Sequence, residues 1–81
     1  MDRFKVESAN IAEIGYDPDT STLEIKFTSG GIYQYWPITQ SGWELFLKAD
    51  SKGSFFYKNI KSNSGVNYRR LDDMQADNKS H

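Results

Sequence analysis

The sequence predicts a small α+β domain, an antiparallel sheet of three to four strands with two short helices. Three observations carry this. Thr22 to Thr28 alternates polar and apolar residues without a break, dense turn residues bracket that run, and beyond Thr39 the apolar spacing changes from two to three and four. At 81 residues the chain fits one domain.

Near the N-terminus Phe4 and Val6 alternate, which suits a short edge strand. Ile11 to Asp17 reads as a strand with Ala12, Ile14 and Tyr16 on one face. Asp17-Pro18-Asp19-Thr20-Ser21 is a turn, because Asp side chains bond nearby amides and Pro presets φ. In Thr22 to Thr28, Leu23, Ile25 and Phe27 point one way and Thr22, Glu24, Lys26 and Thr28 the other, the pattern of a half-buried strand. Ser29-Gly30 suits a two-residue hairpin loop, with Gly30 accepting positive φ. Gly31 to Trp36 is the returning strand, and Pro37 ends it because it lacks the amide a ladder needs. With that loop, Lys26 lies opposite Tyr33 and Glu24 opposite Tyr35, so both tyrosines share the outer face with the charged residues. A three-residue loop moves both into the core face instead.

A helix follows, capped by Thr39 or by Ser41, which stands three residues before Glu44 in capping-box spacing. Trp43, Phe46 and Leu47 fall on one of its faces, flanked by Leu45 and Ala49. Asp50-Ser51-Lys52-Gly53 interrupts the pattern, and a second helix runs from about Ser54 to Ile60. Three adjacent rings, Phe55-Phe56-Tyr57, cannot all face the core; Phe56 pairs with Ile60 inside and Tyr57 is the surface ring. Ser62 to Gly65 is a loop, and Val66 to Leu71 suits a final strand. Residues 71–81 carry almost no apolar surface and read as a disordered acidic tail.

Composition bounds the chemistry. Ten basic and eleven acidic residues leave a net charge of −1, and hydrophobic residues make up 37%. Aromatics reach 15%, so rings supply much of a core that is small for its surface. With no cysteine, disulfides and thiol chemistry are excluded, and no apolar run is long enough to span a membrane. The near-zero total hides an uneven distribution. Residues 1–47 hold three basic and seven acidic groups, residues 48–70 six and one, and residues 71–81 one and three. The basic third is either a solvated face or a binding patch.

Catalytic parts are scarce. The single histidine is the terminal His81, Asp17 and Asp19 belong to a turn, and Asp72-Asp73 to the tail. Neither an active site nor a cofactor or transition-metal site is expected from these residues. Ser51, Lys52 and Gly53 form a more specific group. A serine and a glycine at a helix start expose unpaired amides that favour anions, and Lys52 adds charge. Equally, Ser51 is an ordinary N-cap and Gly53 relieves crowding between two helices. Arg69 and Arg70 beside Tyr68, with Lys58 and Lys61 and the rings of Tyr33, Tyr35 and Tyr57, combine charge for a phosphate backbone with faces for bases. The alternative is that Tyr68 is core and the arginines flank a surface strand.

Taken in order, these residues resemble a known family. They are Ser8, Ile14-Gly15-Tyr16-Asp17, the alternating Leu23, Ile25 and Phe27, Ser29-Gly30, Tyr33 with Tyr35, Pro37, Ala49 with Ser51-Lys52-Gly53, Phe55-Phe56 and Asn59-Ile60-Lys61. The chain resembles the KTSC domain, named for the C-terminal segment of some lysyl-tRNA synthetases, over residues 5–70. The step Trp36-Pro37 departs from the Val-Pro often found there. The resemblance implies a free-standing small bacterial or phage protein without aminoacylation activity, and RNA binding is the usual suggestion for the family. The expected function is therefore a non-catalytic binding module for RNA or single-stranded nucleic acid, in the cytoplasm. The alternative is a protein-interaction module, such as a small phage or bacterial accessory protein acting on a host partner.

Overall fold

The computed structural model describes residues 1–71. The expected disordered tail over 71–81 lies, apart from Leu71, outside the described residues. Five strands, β1 (Phe4–Lys5), β2 (Ile11–Asp17), β3 (Thr22–Phe27), β4 (Ile32–Trp36) and β5 (Asn67–Arg70), form one antiparallel sheet in chain order. Between β4 and β5 the chain forms α1 (Gln40–Lys48) and α2 (Lys52–Phe56), and α2 runs on into a π-helical turn, Tyr57–Lys61. The class is the α+β expected. The sheet exceeds the expected three to four strands because both edge segments pair, two residues at β1 and four at β5.

One face of the sheet meets the helices. Ile11, Ile14, Leu23, Ile25 and Phe46 are fully buried there, with Tyr35, Ile38, Phe56 and Ile60 nearly so. A bulge between Ile11 and Glu13 lets Ile11 and Ile14, three residues apart, serve the same core. Phe56 and Ile60 form the expected inner pair, and Tyr57 is 62% exposed.

The β3–β4 hairpin corrects the expected register. Leu23 lies opposite Tyr35, Ile25 opposite Tyr33 and Glu24 opposite Gln34. Phe27 pairs with Gly31 through an N–H···O bond of 2.9 Å, so the loop has three residues, Thr28 to Gly30, with Gly30 at φ 105°. A two-residue loop of type I′ needs positive φ at both central residues, which Ser29 resists; a turn ending on a single positive-φ glycine does not. The slip of one residue turns Tyr33 and Tyr35 from the outer face to the helix side.

The outer face is also not the open surface that Glu24 implied, since Glu24 is buried. The segment before β1 crosses it at Gly15, where any Cβ would lie 2.2 Å from the Asp2 carbonyl oxygen. Arg3 then reaches the outer face, donates to Glu13 at 3.0 Å and pairs with Glu24. The Glu24 bond raises the Arg3 pKa above its ordinary value. Glu24 also accepts from Gln34 at 2.8 Å.

Candidate nucleic-acid interface

On the helix side, β4 and β5 carry three tyrosines. The rings of Tyr33, Tyr35 and Tyr68 lie 6.2 to 6.3 Å from one another. Period-two alternation puts Tyr33 and Tyr35 on one face, and antiparallel pairing sets Tyr68 opposite Tyr35 and Arg70 opposite Tyr33. Phe27 and Phe56 meet this group edge-on, at 5.6 Å from Tyr33 and 5.1 Å from Tyr35. Together with Val66 and Lys61 they line a groove of about 370 Å³.

The three tyrosines differ in what they offer a ligand. Tyr35 is 7% exposed and is a core residue, while Tyr33 is half-buried and Tyr68 is 67% exposed. Burial pushes the Tyr35 phenol well above its ordinary range, helped by the neighbouring Tyr33 and Tyr68. Two cations flank the groove. The Arg70 guanidinium lies 5.7 Å from the Tyr33 ring centre, and the Lys61 ammonium lies 5.2 Å from that of Tyr57. Tyr33, Tyr35, Lys61 and Arg70 thus come together, while Tyr57 touches Lys61 but faces a separate hollow shared with Ser51 and Gly53. Lys58 is exposed on the π-helical turn but does not line the groove.

Arg69 is separated from this group. It points to the outer face, where its guanidinium lies 5.9 Å from Trp36 and donates twice to Gln34. Ser51, Lys52 and Gly53 are likewise elsewhere, at the junction of α1 and α2. Ser51 Oγ accepts the Ser54 amide at 3.2 Å, and Lys52 Nζ donates to the Leu47 and Ala49 carbonyls at 3.0 and 2.8 Å. Lys52 thereby closes the C-terminal end of α1, where unpaired carbonyls favour a cation. Gly53 relieves no crowding, since a Cβ there would meet only Asn10, at 3.7 Å.

Tyr68 is exposed, not core, and Trp36, a ring that the sequence does not single out as a binding residue, joins it as central to these surfaces. Both belong to alternating patterns, and their faces follow from the strand pairing. No group of three or more His, Asp or Glu able to hold a metal occurs among the described residues, and none of their helices is long and apolar enough to cross a membrane.

Similar proteins share this frame. A crystal structure of a KTSC domain protein from Yersinia pestis superposes with a TM-score of 0.81 at 40% identity, covering 86% of this chain and 96% of that one. An uncharacterised protein of Stutzerimonas stutzeri is 33% identical over 72 residues, 89% of this chain and all of that protein. The lysine–tRNA ligase of a Nostoc species is 40% identical over 58 residues, which are 72% of this chain but 10% of the ligase. The family model of the KTSC domain matches residues 7–63. By that match and by these relatives, the chain belongs to the KTSC domain family.

Proposed function

We propose that the protein is a non-catalytic module that binds single-stranded RNA through the groove between β5 and the π-helical turn. One observation carries this reading. The groove joins an exposed ring, Tyr68, and a half-exposed one, Tyr33, to the Lys61 cation, and the Arg70 guanidinium lies against the Tyr33 ring beside it. Base stacking on rings and charge along a backbone are the two parts of sequence-tolerant single-strand binding. The similarity to a segment of lysine–tRNA ligases, enzymes named for an RNA substrate, supports it. Tyr35 serves from beneath, holding the two accessible rings in place. Ser51, Lys52 and Gly53 are left out, because the polar groups of Ser51 and Lys52 are engaged within the helix junction.

Titration of single-stranded RNA at two salt concentrations tests the reading. Affinity should fall steeply with salt, and Lys61→Gln or Arg70→Gln should each lower the slope by about 0.7. Lys52→Gln should leave the slope unchanged. Tyr68→Ala should weaken binding by about 1–3 kcal/mol, the cost of a lost base–ring stack. Absence of binding at low salt removes the reading and leaves the protein-interaction module in its place.

A further inference from the structure

The groove uses only one side of β5. This strand is the edge of the sheet among the described residues, and all four of its residues are exposed. Successive side chains alternate between faces, so Tyr68 and Arg70 point to the groove while Arg69, between them, points to the outer face.

There Arg69 meets a second ring. Its guanidinium lies 5.9 Å from the Trp36 ring centre, and its Nε and Nη2 donate to Gln34 Oε1 at 3.1 and 2.9 Å. Gln34 is itself held, donating to Glu24 at 2.8 Å, and Glu24 is buried and paired with Arg3. A chain of hydrogen bonds starting from a buried carboxylate therefore orients Arg69. The charge of Glu24 is answered by Arg3, and among the described residues no carboxylate lies within ion-pair distance of Arg69. Arg69 thus keeps its charge for solvent while its orientation is set. Beside it opens a hollow of about 540 Å³, lined also by Trp36, Thr20, Thr22 and Asp17. Asp17 accepts the Asp19 amide within its own turn.

We propose that Trp36 and Arg69 form a second contact site for the same RNA strand, which crosses the β5 edge from the tyrosine groove to the outer face. This rests on the RNA-binding reading above. Register supports the crossing. Tyr68, Arg69 and Arg70 lie opposite Tyr35, Gln34 and Tyr33, so a ring with a guanidinium stands on each side of the strand within three residues. Trp36 offers a face for a base and Arg69 a planar cation for the adjoining phosphate. Among the described residues the edge strand leaves the path between the two sites open, with no further strand beside it.

The test compares an oligouridylate octamer with the dinucleotide, the latter followed by chemical shifts. Arg69→Gln, an exposed substitution, should weaken octamer binding at least about fivefold and lower its salt slope by about 0.7. Dinucleotide binding, confined to the groove, should not change. The octamer, but not the dinucleotide, should quench Trp36 emission in a Trp43→Phe background. If that variant does not fold, Trp36→Phe in the native chain should abolish the octamer-dependent quench. Should Arg69→Gln leave octamer affinity intact while Tyr68→Ala reduces it, the strand stays on one face and the inference is wrong, with the RNA-binding reading standing. Equal losses for octamer and dinucleotide would also overturn it, placing Arg69 in the first site. If the unaltered protein binds neither, the binding reading itself fails and takes the second site with it.

Discussion

Tyr35 shows how one side chain links core and site. It is packed among Phe56, Tyr33 and Tyr68, and its phenol is pushed up by burial and by the two neighbouring tyrosines. An acid whose folded pKa is raised keeps its proton where the unfolded chain has lost it. Stability is then fully present below the unfolded value of about 10 and falls as pH rises above it. Denaturant melts from about pH 8 to pH 11 should show this loss, and Tyr35→Phe should flatten it. An unchanged alkaline slope in Tyr35→Phe would locate the effect in another group. Much at this scale was not legible in the sequence. Alternation placed Glu24 correctly on the face away from Leu23 and Ile25, yet its burial depends on Arg3, 21 residues earlier. Nothing local to either residue announces that pairing. Gly15 is similar, because its lack of a Cβ matters only where the backbone of Asp2 passes over it.

Elements were read best where the physics is local. The cap at Ser51 follows from residue type and position, and so does the inward pairing of Phe56 with Ile60. Of the two caps weighed for α1, Thr39 is the one used: its hydroxyl accepts the Gly42 amide at 3.0 Å. The expected hairpin register fails because loop length decides it, and the same residues can close as Ser29-Gly30 or, as they do, as Thr28-Ser29-Gly30. Lys52 has a role that spacing alone did not reveal, since its carbonyl partners belong to the preceding helix. The junction gives a direct test at this scale. Ser51→Ala removes the acceptor for the Ser54 amide and should cost about 1 kcal/mol. Under the present assignment it should leave RNA affinity unchanged, because Ser51 lies outside the groove. A change in affinity at constant stability would return Ser51 to the binding surface.

Across the whole molecule, strand order equals chain order, which is why a sheet assembled from local pairings could be foreseen from turns and alternation. The edges could not be foreseen with equal clarity, because their residues are short, polar or exposed and gain meaning only from a neighbour. Stability should follow the same division. β2, β3 and β4 each have a partner on both sides and supply Ile14, Leu23, Ile25 and Tyr35 to the core. β5 pairs only with β4 among the described residues and exposes every side chain. Amides of β3 should therefore exchange with solvent only through global unfolding, while those β5 amides that bond β4 open in smaller, cheaper fluctuations and exchange at least about tenfold faster. The proposed surface then sits on a weakly protected edge strand, where bound RNA adds to local stability. Ligand at a hundredfold excess over its dissociation constant contributes about 2.7 kcal/mol to any opening that breaks the site. Hydrogen exchange with and without RNA should thus slow selectively at β5 and the facing amides of β4. If free β5 is already as protected as β3, contacts beyond its pairing with β4 hold that edge, and the open path assigned to the RNA strand is closed.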